Sequence, residues 1–226
     1  MNHSDQPNAI AAFFDMDKTL LSASSAVLMA RYMRKRGELA WRDAMRALSP
    51  MLRYKMGRLD MIETTRQIVR EFAGHSEAER IAYTRQWFQE HLIDYVTEEG
   101  RRWVEGHRRL GHRVALITAS PNYTAAELAG HLGMGDEDVM ATRFEVAHGR
   151  FTGRLLEPMI YGQGKLDAAR AYAAAHAVDL RRSYFYTDSI ADLPLLEMVG
   201  FPVAVNPDRR LRHTALARGW SVVNFY

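Results

Sequence analysis

Residues 10–20, reading IAAFFDMDKTL, constrain this chain more than any other stretch. A short apolar run delivers two carboxylates, Asp15 and Asp17, onto a turn closed by Lys18 and Thr19. An apolar run too brief for a helix and followed by turn-forming residues predicts a buried strand that stops abruptly. In open parallel sheets, ligands bind beyond the carboxyl ends of the strands, so paired acids at such an end are placed for reaction chemistry. Asp-x-Asp taken alone is equally a polar turn, because aspartate readily bonds its own backbone.

With 226 residues the chain suits one large domain, or a core with a smaller companion. A formal charge of +3 is too small to argue for nucleic acid. Its basic residues are interspersed with acids, apart from Arg34, Lys35 and Arg36. The absence of cysteine excludes disulfides, thiolate metal sites and a cysteine nucleophile. The first residues, MNHSDQPN, carry no basic cluster, the apolar run after them is too brief for a signal peptide, and no apolar segment is long enough to span a bilayer. The expectation is a soluble, cytoplasmic protein without nucleic-acid or membrane partners, its oligomeric state open.

From residue 22 to about 99 the sequence reads as continuously helical, broken at Gly37, at Ser49 with Pro50, at Gly57 and at Gly74. In the last piece Ile81, Phe88, Leu92 and Tyr95 recur at helical spacing, which predicts one amphipathic helix. After Gly100 the character changes. A helix through Trp103 and Val104 ends at Gly111, residues 112–117 form a strand stopped by TASPN, and another helix passes through Leu128. Residues 139–151 read as short strands turning at His148 and Gly149; then come a helix over 165–176, a strand over 184–186, a helix over 192–199 and a strand over 203–205. This alternation predicts an α/β fold: a Rossmann-like, doubly wound parallel sheet with helices on both faces. The core would comprise residues 1–21 and 100–226, and residues 22–99 an inserted all-helical cap hanging over the strand ends.

Further polar residues fall at strand ends or helix starts. Thr118 ends the second core strand, Lys165 opens a helix after Gly162 and Gly164, and Asp188 with Asp192 follows the strand SYFYT. Each has a structural reading by itself: a strand-end hydroxyl, a surface lysine, a helix cap and a first-turn acid. Their joint order is harder to dismiss. Asp-Met-Asp-Lys-Thr at 15–19, then Thr118, Lys165, and Asp188 with Asp192, resembles the four motifs of the haloacid-dehalogenase superfamily, in its phosphoserine-phosphatase-like branch with a helical cap. The segment GRFTGRL at 149–155 is similar to the hairpin those phosphatases carry before their lysine.

The resemblance implies a magnesium-dependent phosphomonoesterase acting on a small phosphate ester. By resemblance, the Asp15 carboxylate, the Asp17 main-chain carbonyl and the Asp188 carboxylate hold Mg2+, with Asp192 and Thr19 in supporting positions. Asp15 is then the nucleophile and Asp17 the general acid and base, an acid that a halide leaving group would not need. Thr118 and the amide at Ala119 hold phosphoryl oxygens, and Lys165 offsets charge on Asp15 and the phosphate.

Two departures bear on the substrate. The fourth motif is YTDSIAD, with Thr187, Ser189 and Ala191 replacing the two glycines and the asparagine usual in phosphoserine phosphatases. Their substrate-binding glutamate after the first motif is also missing; that region reads LLSASSAV, with Ser24 near its position. Phosphoserine is therefore not the expected substrate. Histidinol phosphate, transfer to an acceptor other than water, and a non-catalytic phospholigand-binding role are the alternatives. In the cap, Met29, Met33, Met45, Met51, Met56 and Met61 suit packing or an adaptable pocket, and Arg53, Lys55 and Arg58 suit solvent or a further anion on the substrate. The histidines show no paired spacing for zinc.

Overall fold

The apolar run is the middle of a sheet. In the computed structural model, which describes residues 9–38 and 61–226, β1 (Ala11–Phe14) is fully buried and pairs in parallel with β2 (Arg113–Pro121) on one side and β5 (Tyr184–Thr187) on the other. Ala12 and Phe14 enter one core cluster, Ala11 and Phe13 the other, the period of two that a strand imposes. A strand covered on both faces has no use for polar residues, which is why AAFF reads as an unbroken apolar run.

The seven strands lie in the order β4-β3-β2-β1-β5-β6-β7. Here β3 is Val139–Ala147, β4 Arg150–Leu156, β6 Phe201–Val205 and β7 Ser221–Val223. All neighbours are parallel except the β3–β4 hairpin, which turns at His148 and Gly149, both with positive φ. One face carries α1 (Ser25–Lys35), α3 (Glu77–Glu90), α4 (Glu98–Arg109) and α5 (Asn122–His131). The other carries α6 (Gln163–Ala175), α7 (Leu193–Leu196) and α8 (Arg209–Arg218). The expected α/β architecture is thus the observed one. No helix among the described residues is long and apolar enough to cross a membrane.

Between Leu21 and Val96 the described residues form α1, α2 (Met61–Arg70), α3 and a short turn of helix at Leu92–Tyr95, and α4 then leads to β2. The chain leaves and re-enters the sheet side by side: Leu21 bridges Val96, Ser22 N donates to Tyr95 O (2.8 Å) and Thr97 N to Leu20 O (2.8 Å). The hairpin grips the far side of this segment. Gly74 N donates to Phe151 O (2.8 Å), Phe151 N to His75 O (3.0 Å) and Glu77 N to Gly149 O (3.0 Å). Val69, Tyr123, Phe144 and Phe151 fill the space beneath as a separate small core. The expected breaks at Ser49, Pro50 and Gly57, and the cap residues Met45, Met51, Arg53, Lys55, Met56 and Arg58, lie outside the described residues.

Several expectations need correction. β2 does not stop after Ile117: Thr118 pairs with Ala141, and after a register shift Pro121 pairs with Thr142. α4 begins at Glu98, not after Gly100, because Thr97 caps it by accepting from Gly100 N (3.2 Å). The stripe read from Ile81 misplaces the buried face of α3, since Ile81 is 38 % exposed while Thr84, Trp87 and Phe88 are buried. That helix also ends at Glu90, leaving Leu92 and Tyr95 in a separate turn. The single helix expected over 192–199 is a 3-10 turn, Ile190–Asp192, followed by the four-residue α7.

Candidate active site

Asp15 stands where β1 ends, its amide donating to Tyr186 O at 2.9 Å as the last rung toward β5. Met16–Leu20 then curl into a short irregular helical turn in which Lys18 takes a left-handed conformation (φ 57°). Such a conformation costs a residue with a Cβ about 1–3 kcal/mol and persists only where its surroundings enforce it. Here the turn re-aims the chain so that the two aspartates face different partners.

Asp15 faces Lys165. The ammonium, in the first turn of α6, donates to Asp15 Oδ1 at 2.7 Å and to Asp192 Oδ2 at 2.8 Å, and Thr187 Oγ1 donates to the same Asp192 oxygen at 2.6 Å. Lys165, Asp192 and Asp15 are only 3 %, 2 % and 6 % exposed. Burial disfavours the ammonium, but the two carboxylates outweigh it and hold Lys165 above its ordinary range. Burial pushes Asp15 up to about 6 against the pull of Lys165, with Asp192 and Asp17 adding repulsion. A lysine between two buried acids is costly unless all of its neighbours are satisfied. Gly164 lets its helix start close by, since a Cβ there would lie 2.0 Å from Met159 O.

Asp17 faces the other way, toward α1 and the end of β2. Ser120 Oγ donates to Asp17 Oδ2 at 2.6 Å and Ser25 Oγ to the same oxygen at 3.1 Å, while Ser25 N donates to Asp17 Oδ1. Thr118 is buried, and its Oγ1 accepts from Ser120 N at 3.1 Å. Ala119 is half-buried between them. Asp188 follows β5, with the Lys18 ammonium 3.8 Å from its Oδ2. Burial and then the Asp15 charge push it up to about 8. Thr19 Oγ1 is buried without a hydrogen-bond partner among the described residues.

All the acids and the lysine singled out in the sequence therefore gather at the carboxyl ends of β1, β2 and β5. The residues the sequence did not flag are the orienting hydroxyls Ser25 and Ser120 on Asp17; Thr187, noted there only as a replacement in the fourth motif, orients Asp192. Asp208 is a further one, accepting from Ile190 N (2.9 Å) and Leu211 N (2.8 Å) and so tying the loop after Asp188 to the start of α8. The only signal for Ser25 and Ser120 was their place in serine-bearing turns beside the motifs, SASS and TASP.

This arrangement can present one carboxylate, charge-balanced by a lysine, as a nucleophile, and hold a second beside it as an acid or base. The chain is similar to known proteins over most of its length. The haloacid dehalogenase-like hydrolase family model matches residues 12–197. Phosphoserine phosphatase SerB1 of Mycobacterium tuberculosis is 35 % identical over 219 residues, 95 % of this chain and 70 % of its own. A histidinol-phosphatase of Neisseria meningitidis is 29 % identical, covering 95 % of this chain and 98 % of its own. A Bordetella pertussis protein of unknown function has a similar crystal structure, with a TM-score of 0.87 and 31 % identity over 97 % of this chain and 100 % of that one.

Proposed function

We propose, for a chain that belongs to the haloacid dehalogenase-like hydrolase family and is a phosphatase of it, hydrolysis of a small phosphate monoester through an aspartyl-phosphate on Asp15. The observation that carries the reading is the pairing of two differently supported aspartates: Asp15 on Lys165, and Asp17 on Ser25 and Ser120. Asp15 attacks phosphorus in line with the ester oxygen, and the P–O ester bond breaks as the Asp15 O–P bond forms. Asp17 gives its proton to the departing alkoxide. It then takes a proton from the water that attacks phosphorus, releasing inorganic phosphate and restoring Asp15. Lys165 offsets the charge that builds on Asp15 and the phosphoryl group, with Asp192 and Thr187 fixing its position. The Thr118 hydroxyl and the Ala119 amide are the groups proposed to hold phosphoryl oxygens.

The donor set fits magnesium. Asp15 is a buried and Asp188 a largely buried carboxylate, and they repel one another, with Lys165 and Lys18 as the cations beside them. No three acid or histidine side chains converge as a ready cage among the described residues. Two carboxylates and the Asp17 carbonyl, completed by water, suit a hard ion that keeps part of its hydration shell. When bound, Mg2+ would screen the anionic ester from the anionic nucleophile.

Residues 22–99 are proposed as a cap over these groups, supported by their place between β1 and β2 and by the paired exit and return at Leu21 and Val96. For the substrate we favour an ester other than phosphoserine. Ser24 is uncharged where a charged residue would read the amino group, and neighbouring Ser25 is engaged with Asp17. Histidinol phosphate is the second reading, favoured by a histidinol-phosphatase that matches almost end to end. The test is release of p-nitrophenol from p-nitrophenyl phosphate with Mg2+, which Asp15→Asn should abolish. Appreciable turnover by that variant would sink the covalent assignment. Failure of the wild type across a broad phosphate panel would favour a binding protein, and phosphate appearing only on an added alcohol would make the enzyme a phosphotransferase.

A further inference from the structure

Along the inward face of α3 several polar atoms lack a hydrogen-bond partner among the described residues. Arg80 Nε, Thr84 Oγ1 and Trp87 Nε1 are each buried without a hydrogen-bond partner among the described residues. They recur at i, i+4 and i+7, which is one stripe along one helix. A fourth orphan, Asn122 Oδ1, is at the first position of α5. Native proteins pair the great majority of their buried polar atoms, so four in one seam call for an occupant.

Arg80 is the most telling of them. Its guanidinium lies over the Phe72 ring, 5.2 Å from the centroid, and burial lowers its pKa, with only Tyr83 and Tyr123 pulling the other way. No carboxylate pairs with it among the described residues; Glu77, one turn earlier, accepts from Tyr123 Oη at 2.9 Å instead. Arg80 is half-buried, and a guanidinium whose Nε is buried and unmet among the described residues suits a planar or tetrahedral anion, which it can meet with two parallel hydrogen bonds.

The stripe begins close to the reacting groups. Ser120, whose hydroxyl holds Asp17, is two residues from Asn122, a span of at most about 7 Å. The first turn of α3 meets the first turn of α5 through Glu77 and Tyr123, and the helices then run on together, with Arg85 Nε 3.3 Å from Glu127 Oε1 and the Phe88 and His131 rings 5.7 Å apart. Arg80 therefore stands at the end of α3 nearest the carboxyl ends of the strands.

We propose that Arg80, with Asn122 beside it and Thr84 one turn on, forms a subsite for a second anionic group on the leaving-group side of the substrate. A carboxylate or a second phosphate would fit. The proposal rests on the phosphomonoesterase reading and assigns Arg80 to selection among esters, not to the chemical step. A neutral leaving group would leave the guanidinium unpaired, so the subsite discriminates by the cost of an unmet cation as well as by attraction.

Matched ester pairs test it. The first is 3-phosphoglycerate against glycerol 1-phosphate, which differ by a carboxylate; the second is fructose 1,6-bisphosphate against fructose 6-phosphate, which differ by a phosphate. A charge-assisted pair predicts a preference of roughly 10- to 100-fold in kcat/KM for the anionic member of at least one pair, carried mainly by KM. Arg80→Met should bring that ratio near one, and Arg80→Lys should retain part of it. The pair that responds identifies the anion. A wild-type ratio near one in both pairs, or an Arg80→Met variant that loses equally on both members, overturns the proposal and leaves bound water as the occupant of the seam. The wild-type comparison decides even if Arg80→Met does not fold. If no ester is turned over, the phosphatase reading fails separately. The same pairs compared by ligand-induced thermal shift then judge the subsite on binding, with equal shifts for the two members counting against it.

Discussion

His107 shows how a single side chain can set the response of the fold to acid without touching the reaction. It is 5 % exposed, with Nε2 2.7 Å from Tyr186 Oη, Nδ1 2.9 Å from His112 Nδ1 and its ring against Phe14 and Tyr184. Burial and then the neighbouring His112 lower its pKa from 6.5 to about 4. The folded state therefore binds this proton less readily than the unfolded chain. The stabilisation is complete above the unfolded value and is lost as pH falls from about 6.5 through about 4, amounting to about 3 kcal/mol over that window. Asp15 and Asp188, raised by burial, act in the opposite sense, so the contribution is read as a difference. Urea unfolding of wild type and His107→Phe at pH 7.5 and 4.5 should show the larger acid-induced loss in the wild type; equal losses would refute the assignment. At this scale the sequence revealed the groups whose chemistry is unusual for a surface, namely Asp15, Asp17, Lys165, Asp188 and Asp192. It hid Ser25 and Ser120 because hydroxyls in turns are common and their partners are set by the tertiary fold: Ser120 and Asp17 are 103 residues apart.

Between residues and the whole, the elements that position the site were legible wherever burial left a pattern. The strands of the central sheet are buried on both faces and announce themselves as short apolar runs. α8, reading RRLRHTALAR, buries only Leu211 and Ala215 and shows no apolar stripe, so neither it nor the three-residue β7 after it was foreseen. Yet α8 matters to the site through its cap. Asp208 accepts from Leu211 N at the helix start and from Ile190 N in the motif loop, while its own amide donates to Asp188 O at 2.8 Å. Replacing it with alanine removes the helix cap and the carboxylate's hold on the Ile190 amide, while the main-chain bond to the Asp188 carbonyl remains. Asp208→Ala should cost about 1–2 kcal/mol, a fall in Tm of roughly 2–8 °C for a chain of this size. It should also lower kcat, because Asp188 and Asp192 flank the freed loop. A melt unchanged from wild type would show that the cap carries no load, and a lower Tm with full kcat would show that the loop is held from elsewhere.

At the scale of the whole molecule, the order of elements explains why the segment proposed as a cap leaves and returns beside the acids. β1 is central, so an excursion between β1 and β2 must leave from the carboxyl edge, where Asp15 and Asp17 stand, and return near it. The β3–β4 hairpin projects from the same edge and grips that excursion at residues 74–77 through main-chain hydrogen bonds, so the excursion is held at its root and again at the hairpin. This architecture gathers Asp15, Asp17, Asp188 and Asp192 at one edge against Lys165 and Lys18, a concentration of negative charge that self-repulsion would penalise. The divalent cation proposed to lie between Asp15 and Asp188 would relieve it and would favour only the folded chain, because the two residues are brought together by folding. Binding of that kind adds about 1.4 kcal/mol of stability at ten times the dissociation constant. Calorimetric melts should therefore rise by roughly 3–5 °C when Mg2+ is restored after EDTA treatment, and the rise should be largely lost in Asp188→Asn. Turnover of p-nitrophenyl phosphate should fall and recover in parallel with the melt. Full turnover in EDTA with an unmoved Tm would remove magnesium from the reading and leave Lys18 and Lys165 as the counter-charges of the site.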